Sequence, residues 1–294
     1  MADNKEHGPE IDDVSGVETT GHSWDGIKEL NNPLPRWWLW TFYLTIIWAL
    51  IYTVLYPAWP MISSSTGGVL GWSSRASLAE DVNAAKEAQS VFLDKLAATD
   101  VAEIQSDAEL TQFAVAGGSA AFKVNCVQCH GSGATGSPGY PNLNDDDWIW
   151  GGSIEEIHTT IQHGIRHAGD DDTRISDMPA YGADEILSRE EISDVAWYVR
   201  KISSQEFDAA AADRGQVIFE ENCAACHGDS GEGLRELGGP RLADSIWLYG
   251  GEHADIMAQI NKPKQGVMPA WGARLGEATV KQLAVYIHSL GGGE

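Results

Sequence analysis

Cysteine and basic residues are scarce in this chain, as are long apolar runs, and each scarcity excludes something. Four cysteines in 294 residues are too few for a disulfide scaffold. Nineteen Lys and Arg stand against 43 Asp and Glu, for a net charge of −24. That balance supplies no basic surface of the kind nucleic acids require. Methionine occurs only five times, so a Met recurring at equivalent places needs an explanation beyond core filling.

All four cysteines fall in two copies of Cys-x-x-Cys-His: Cys126-Val-Gln-Cys129-His130 and Cys223-Ala-Ala-Cys226-His227. This spacing is the attachment signature for c-type haem. Two thiols a helical turn apart can each add to a vinyl group, and the adjacent imidazole, His130 or His227, then serves as proximal iron ligand. The expected cofactor is two covalently bound haem c. Structural zinc would bring the cysteine pairs closer together in sequence. A thioredoxin-like pair would follow a strand-like Val/Ile run, which neither copy has.

The surroundings repeat as well. Gly118-x-x-x-Phe122 before the first motif answers Gly215-x-x-x-Phe219 before the second, and Pro141-Asn-Leu143 answers Pro240-Arg-Leu242. Further on, Trp148-Ile-Trp-Gly-Gly152 recurs as Trp247-Leu-Tyr-Gly-Gly251, and Met178-Pro-Ala-Tyr-Gly182 as Met268-Pro-Ala-Trp-Gly272. A closing segment near Trp197-Tyr198 matches one near Tyr286. The chain is an internal duplication, with units expected at residues 117–205 and 206–294.

Each unit resembles a class I cytochrome c domain: a helix, the haem motif, a Gly-rich loop, a Met-Pro loop and a closing helix. The resemblance implies that Met178 and Met268 are the distal iron ligands, each within its own unit. Thioether ligation opposite His raises the reduction potential. His158, His163 and His167 remain competitors in the first unit, as do His253 and Met257 in the second.

Residues 37–56 carry no charge and match the length needed to cross a bilayer core. Pro33 and Pro35 precede them and Pro57 and Pro60 follow, with Trp37, Trp38, Trp40, Tyr56 and Trp59 placed as interfacial anchors. The acidic segment before them lacks the basic n-region of a cleavable signal. Thr41, Thr45, Trp48 and Tyr52 share one helical stripe, as if packed on other helices. Residues 57–116 read as a linker with an amphipathic helix at 77–97 and a short helical stretch at 101–114. Residues 1–22 are expected to be disordered. The fold class is mainly α: one transmembrane helix followed by two tandem cytochrome c domains.

The acidic start, the run Glu29-Leu-Asn-Asn-Pro-Leu-Pro-Arg-Trp-Trp-Leu-Trp40, the single span and two cytochrome units together resemble the dihaem CcoP/FixP family of cbb3-type cytochrome c oxidase subunits. The resemblance implies an electron-transfer subunit of a haem–copper oxidase, assembled with catalytic and mono-haem subunits and fed by a soluble electron donor. It further implies a bacterial inner membrane, with residues 1–36 cytoplasmic and both haem units periplasmic. The acidity of both units suits a basic donor, such as a small cytochrome c. A dihaem peroxidase would need an iron with a weak distal ligand, and both Met-Pro loops are intact. A tethered cytochrome serving another periplasmic dehydrogenase or reductase is the alternative.

Overall fold

Asp25 and Gly26 both adopt left-handed backbone angles, φ 52° and 84°, as a two-residue hairpin turn demands and an Asp-Gly pair supplies. The turn joins β1 (Thr19–Trp24) to β2 (Ile27–Leu30) in an antiparallel pair, with Trp24 opposite Ile27. The computed structural model describes residues 8–292. Within it Ile11 bridges Glu18, the Thr19 N–H donates to the Glu10 carbonyl, and Lys28 pairs with Glu10. The expectation of disorder over 1–22 is thus corrected for residues 11–22, which are ordered by backbone pairing rather than by an apolar core. Residues 1–7 of that stretch lie outside the described residues.

Two compact units emerge, residues 1–86 and 87–294. In the first, the hairpin precedes α1 (Arg36–Leu55), which starts and ends one residue before the expected 37–56. None of its side chains is buried, its mean hydropathy is 1.7, and it is long and apolar enough to cross a membrane. Helix α2 (Ser74–Ala98) covers the expected 77–97 and carries the chain into the second unit.

The second unit continues with a 3-10 turn (Val101–Ser106) and α3 (Ala108–Asn125). There follow α4 (Val127–His130), α5 (Ile154–His163), α6 (Arg189–Ile202) and α7 (Ala209–Asn222). The last elements are α8 (Ala224–His227), α9 (His253–Asn261), α10 (Gly272–Leu275) and α11 (Glu277–His288). Side-chain caps set the boundaries. Asp107 accepts from two backbone N–H groups at the start of α3, and Ser153/Glu156 and Ser188/Glu191 form capping boxes on α5 and α6.

Packing in this unit cuts across the sequence repeats. The first core joins Leu110, Ala114 and Phe122 of α3 and Ile157 and Ile161 of α5 to Val280, Leu283 and Ile287 of α11. The second joins Val195 and Val199 of α6 to Phe219 of α7 and Ile256 and Ile260 of α9. Each closing helix therefore lies against the opening helix of the other repeat. Gly118 makes the first crossing possible: a Cβ there would stand 2.1 Å from the Gln282 carbonyl oxygen. Gly215 does the same for the second, where a Cβ would stand 2.0 Å from the Asp194 oxygen. One helical turn beyond each glycine, Phe122 meets Tyr286 with ring centroids 5.6 Å apart, and Phe219 meets Tyr198 at 5.1 Å.

The boundary expected between 117–205 and 206–294 is thus not a boundary in packing. Residues 203–208 form a short link between α6 and α7, of the length that joins antiparallel neighbouring helices, and α6 folds back on α7. Lys281 of α11 also reaches the end of α2, its buried ammonium donating to the Ala97 and Thr99 carbonyls at 2.8 Å each.

Candidate haem sites

Each Cys-x-x-Cys-His motif forms one tight turn at the end of a long helix. Cys126 accepts backbone hydrogen bonds from Cys129 and His130 at 3.1 and 2.9 Å, and Cys223 from Cys226 and His227 at 3.1 and 3.0 Å. Both thiols of a pair thus lie on one turn. Burial, joined by the neighbouring thiol, pushes the Cys126 and Cys223 thiols up to about 11. Cys129 and Cys226 are exposed. Among the described residues the four cysteines join no metal-sized cluster.

The imidazoles are oriented from behind. His130 Nδ1 lies 3.1 Å from the Pro141 carbonyl oxygen and His227 Nδ1 2.9 Å from that of Pro240. A carbonyl only accepts, so Nδ1 carries the proton and Nε2 keeps its lone pair for a metal. Burial holds both imidazoles below the usual histidine range despite these bonds, favouring the neutral form that ligates iron. The Pro141 and Pro240 matches noticed in the repeat thus have a chemical use.

A single cavity of about 980 Å³ is lined by both motifs together with Met178 and Met268. The two methionines are exchanged relative to expectation. Met268 packs against the core that holds Cys126 and Phe122, while Met178 packs against the one that holds Cys223 and Phe219. The Tyr181 hydroxyl donates to the Asn222 carbonyl at 2.6 Å, tying the Met178 loop to the residue before Cys223. The Trp271 N–H donates to the Ile161 carbonyl at 3.0 Å, tying the Met268 loop to α5 of the first repeat. The glycines agree. A Cβ on Gly272 would strike Gln162, and one on the equivalent Gly182 would strike Asn261, the residue that answers Gln162. Met268 thus lies on the side of Cys126 and Met178 on the side of Cys223, because the exchange of closing helices carries each Met-Pro loop with it.

The competing ligands fall away from the cavity. His163 Nδ1 is 3.1 Å from an Asp170 oxygen, and neither it, His158, His167, His253 nor Met257 lines the cavity. His253 instead stacks on Trp197 at 3.9 Å between centroids.

Arg166 was not singled out by the sequence. Its Nε donates to the Gly266 carbonyl at 2.8 Å and its Nη1 to that of Ser176 at 2.7 Å, so one guanidinium holds the chain two residues before each methionine. Gln265, which stands in the place of Arg166 in the second repeat, donates to the Met178 carbonyl at 3.1 Å. Trp247 Nε1 is buried without a partner on the cavity wall, a donor suited to a carboxylate of a bound group. Paired thiols, neutral imidazoles, thioether loops, an apolar wall and this spare donor fit covalently attached haem c.

Comparison with known proteins gives matches along most of the chain. Residues 16–63 match the model described as the N-terminal domain of cytochrome oxidase-cbb3, FixP. Residues 115–203 match cytochrome c, and residues 210–287 match cytochrome c oxidase, cbb3-type, subunit III. The chain is 54% identical over 294 residues to the cbb3-type cytochrome c oxidase subunit FixP of Sinorhizobium medicae, covering 100% of both. It is 55% identical over 276 residues to the subunit CcoP of Cereibacter sphaeroides, covering 94% of this chain and 95% of that one. With the subunit CcoP of Azospirillum brasilense it shares 51% over 292 residues, 97% and 99% of the two chains.

Proposed function

The chain belongs to the FixP/CcoP family, the membrane-anchored electron-transfer subunits of cbb3-type cytochrome c oxidase, and on that premise we propose that it holds two haems c, each held by side chains from both repeats. His130 and Met268 serve one iron, and His227 and Met178 serve the other. Haem c supplies a reversible one-electron change at its iron. Cys126 and Cys129, with Cys223 and Cys226, tether the two groups, and the Pro141 and Pro240 carbonyls fix the imidazoles. Arg166 and Gln265 hold the methionine loops. A haem held by both an imidazole and a thioether would exchange electrons rather than bind oxygen, so oxygen reduction falls to the catalytic subunit of the complex.

Electrons are taken from a soluble periplasmic donor, which the acidity of the chain favours as a basic protein, and passed toward the oxygen-reducing subunit. Anchoring by α1 in the bacterial inner membrane puts residues 1–36 in the cytoplasm and the haem units in the periplasm. The stripe Thr41, Thr45, Trp48 and Tyr52 packs on helices of the catalytic or mono-haem subunits.

The observation that carries this reading is the pair of haem motifs opening, with two methionine loops, on one cavity. Purification of the membrane complex, with denaturing gels stained for haem, tests it. Oxidase subunits should accompany the chain, and Cys126→Ala with Cys129→Ala should leave one haem of two. Both haems surviving in that variant, or the chain purifying with another enzyme, would sink the proposal.

A further inference from the structure

Between Arg36 and Arg75 the sequence has no charged residue and no histidine, although α1 already ends at Leu55. The charge-free chain thus runs on through a non-helical segment as long as the connection to α2. That segment folds back onto the helix it has just left. The Val69 N–H donates to the Val54 carbonyl at 2.9 Å and the Leu70 N–H to the Leu55 carbonyl at 3.1 Å. These acceptors belong to the last turn of α1, where helix geometry leaves carbonyls without partners. Gly68 allows the approach: its φ is +69°, and a Cβ there would lie 2.4 Å from the Leu55 oxygen.

The intervening residues form a small hairpin whose own backbone is paired. The Thr66 N–H donates to the Trp59 carbonyl at 3.0 Å and the Met61 N–H to that of Ser64 at 2.7 Å. The Thr66 hydroxyl accepts from Ala58 and Trp59. At its tip Ile62 is fully exposed, at 107%, and Trp59, Met61, Val69, Leu70 and Trp72 are exposed beside it.

We infer that residues 57–72 form a lipid-facing foot, seated in the bilayer interface of the leaflet in which α1 ends. Two observations choose lipid over water or protein as the occupant. The hydrogen bonds pin Val69 and Leu70 at the depth of Val54 and Leu55, so their apolar side chains continue the surface of the span. Paired backbone, flanking Trp59 and Trp72, and a first charge at Arg75 are the features that the interface selects. The effective membrane boundary then lies near Ser73 rather than at Tyr56. This goes beyond the electron-transfer role, since a generic tether would end at Tyr56.

The test places the photo-crosslinker p-benzoylphenylalanine at Ile62 and, separately, at Leu70 in the full chain within native membranes. Leu50, on the face of the span opposite the Thr41–Tyr52 stripe, serves as lipid reference and Asn83 of α2 as aqueous reference. Peptides carrying the probe at Ile62 or Leu70 should bear lipid adducts at a level near that of Leu50 and well above Asn83. An adduct with another protein at both positions would overturn the inference in favour of subunit docking. Adducts no more frequent than at Asn83 would overturn it in favour of a solvated loop. Lipid capture at Leu50 alone would leave the anchor intact while removing the foot.

Discussion

Ile165 and Met268 exchange two backbone hydrogen bonds, N to O 2.9 Å in one direction and 3.0 Å in the other, although they belong to opposite repeats. This antiparallel bridge fastens the Met268 loop just past the end of α5, on the side of the unit that carries His130. The Ala183 N–H, bonded to the Asn261 carbonyl at 3.0 Å, makes the counterpart tie between the Met178 loop and α9. Neither repeat brings its own haem motif and Met-Pro loop to the same core; each motif meets the loop of its neighbour.

Crossed ligation is open to a direct test. In a chain already lacking the first haem through Cys126→Ala and Cys129→Ala, Met268→Ala should be spectroscopically silent. Met178→Ala in the same background should abolish the remaining far-red Met-to-iron band. The reverse outcome would restore ligation within each repeat. In the otherwise intact chain, either Met→His change should lower the potential of one haem only, leaving about half of the band.

Arg166→Gln removes the charged donor shared by the Gly266 and Ser176 carbonyls. The expected cost is about 2–4 kcal/mol, from two charge-assisted hydrogen bonds. Both far-red bands should weaken together, because both loops are held by the same group. Arg166→Lys should rescue little, since an ammonium lacks the planar fork that reaches two acceptors. Weakening confined to one band, in combined spectral and denaturant titrations, would show that the loops are held separately.

Asp147 gives a pH dependence of defined sign. Burial first, and then the Asp244 and Asp145 carboxylates, push its carboxyl from 3.8 up to about 6, against the pull of Arg241 and Arg235. The folded chain therefore binds this proton where the unfolded chain has already lost it. The contribution to stability is fully present below the unfolded value and is lost as pH rises through about 6. Asp147→Asn should match the parent near pH 4 and exceed it above pH 6 by about 1–2 kcal/mol, once solvent screening is allowed for. Denaturant melts across that range measure the difference, and parallel curves for the two proteins would count against a raised carboxyl.

The two Cys-x-x-Cys-His turns and the membrane-length helix were legible because each is a local pattern: a spacing and a charge-free run. The hairpin at Thr19–Leu30 was missed although its Asp25-Gly26 turn stood in plain view, since the acidic composition around it suggested disorder. Crossing was not legible in the same way. An internal repeat identifies Met178 with Met268 and Gly182 with Gly272, but it does not say which copy packs on which. The short 203–208 link was the one hint, and its force appears only once α6 and α7 are seen as antiparallel neighbours. Arg166 carried no signal at all. Its role depends on carbonyls of two distant loops, and its counterpart Gln265 differs in residue type, so the repeat hides the correspondence.

The packing of α11 on α3 also sets an order of events during biogenesis. A chain that emerges from its N-terminus presents Cys126, Cys129 and His130 long before Glu277–His288 has been synthesised. Until then the apolar face of Phe122 and Leu110 has no lid, and the first motif stays open to whatever machinery joins haem to thiols. A chain truncated anywhere before Glu277 would lack the helix that covers Leu110 and Phe122, so the surroundings of the first motif depend on the last residues to be made.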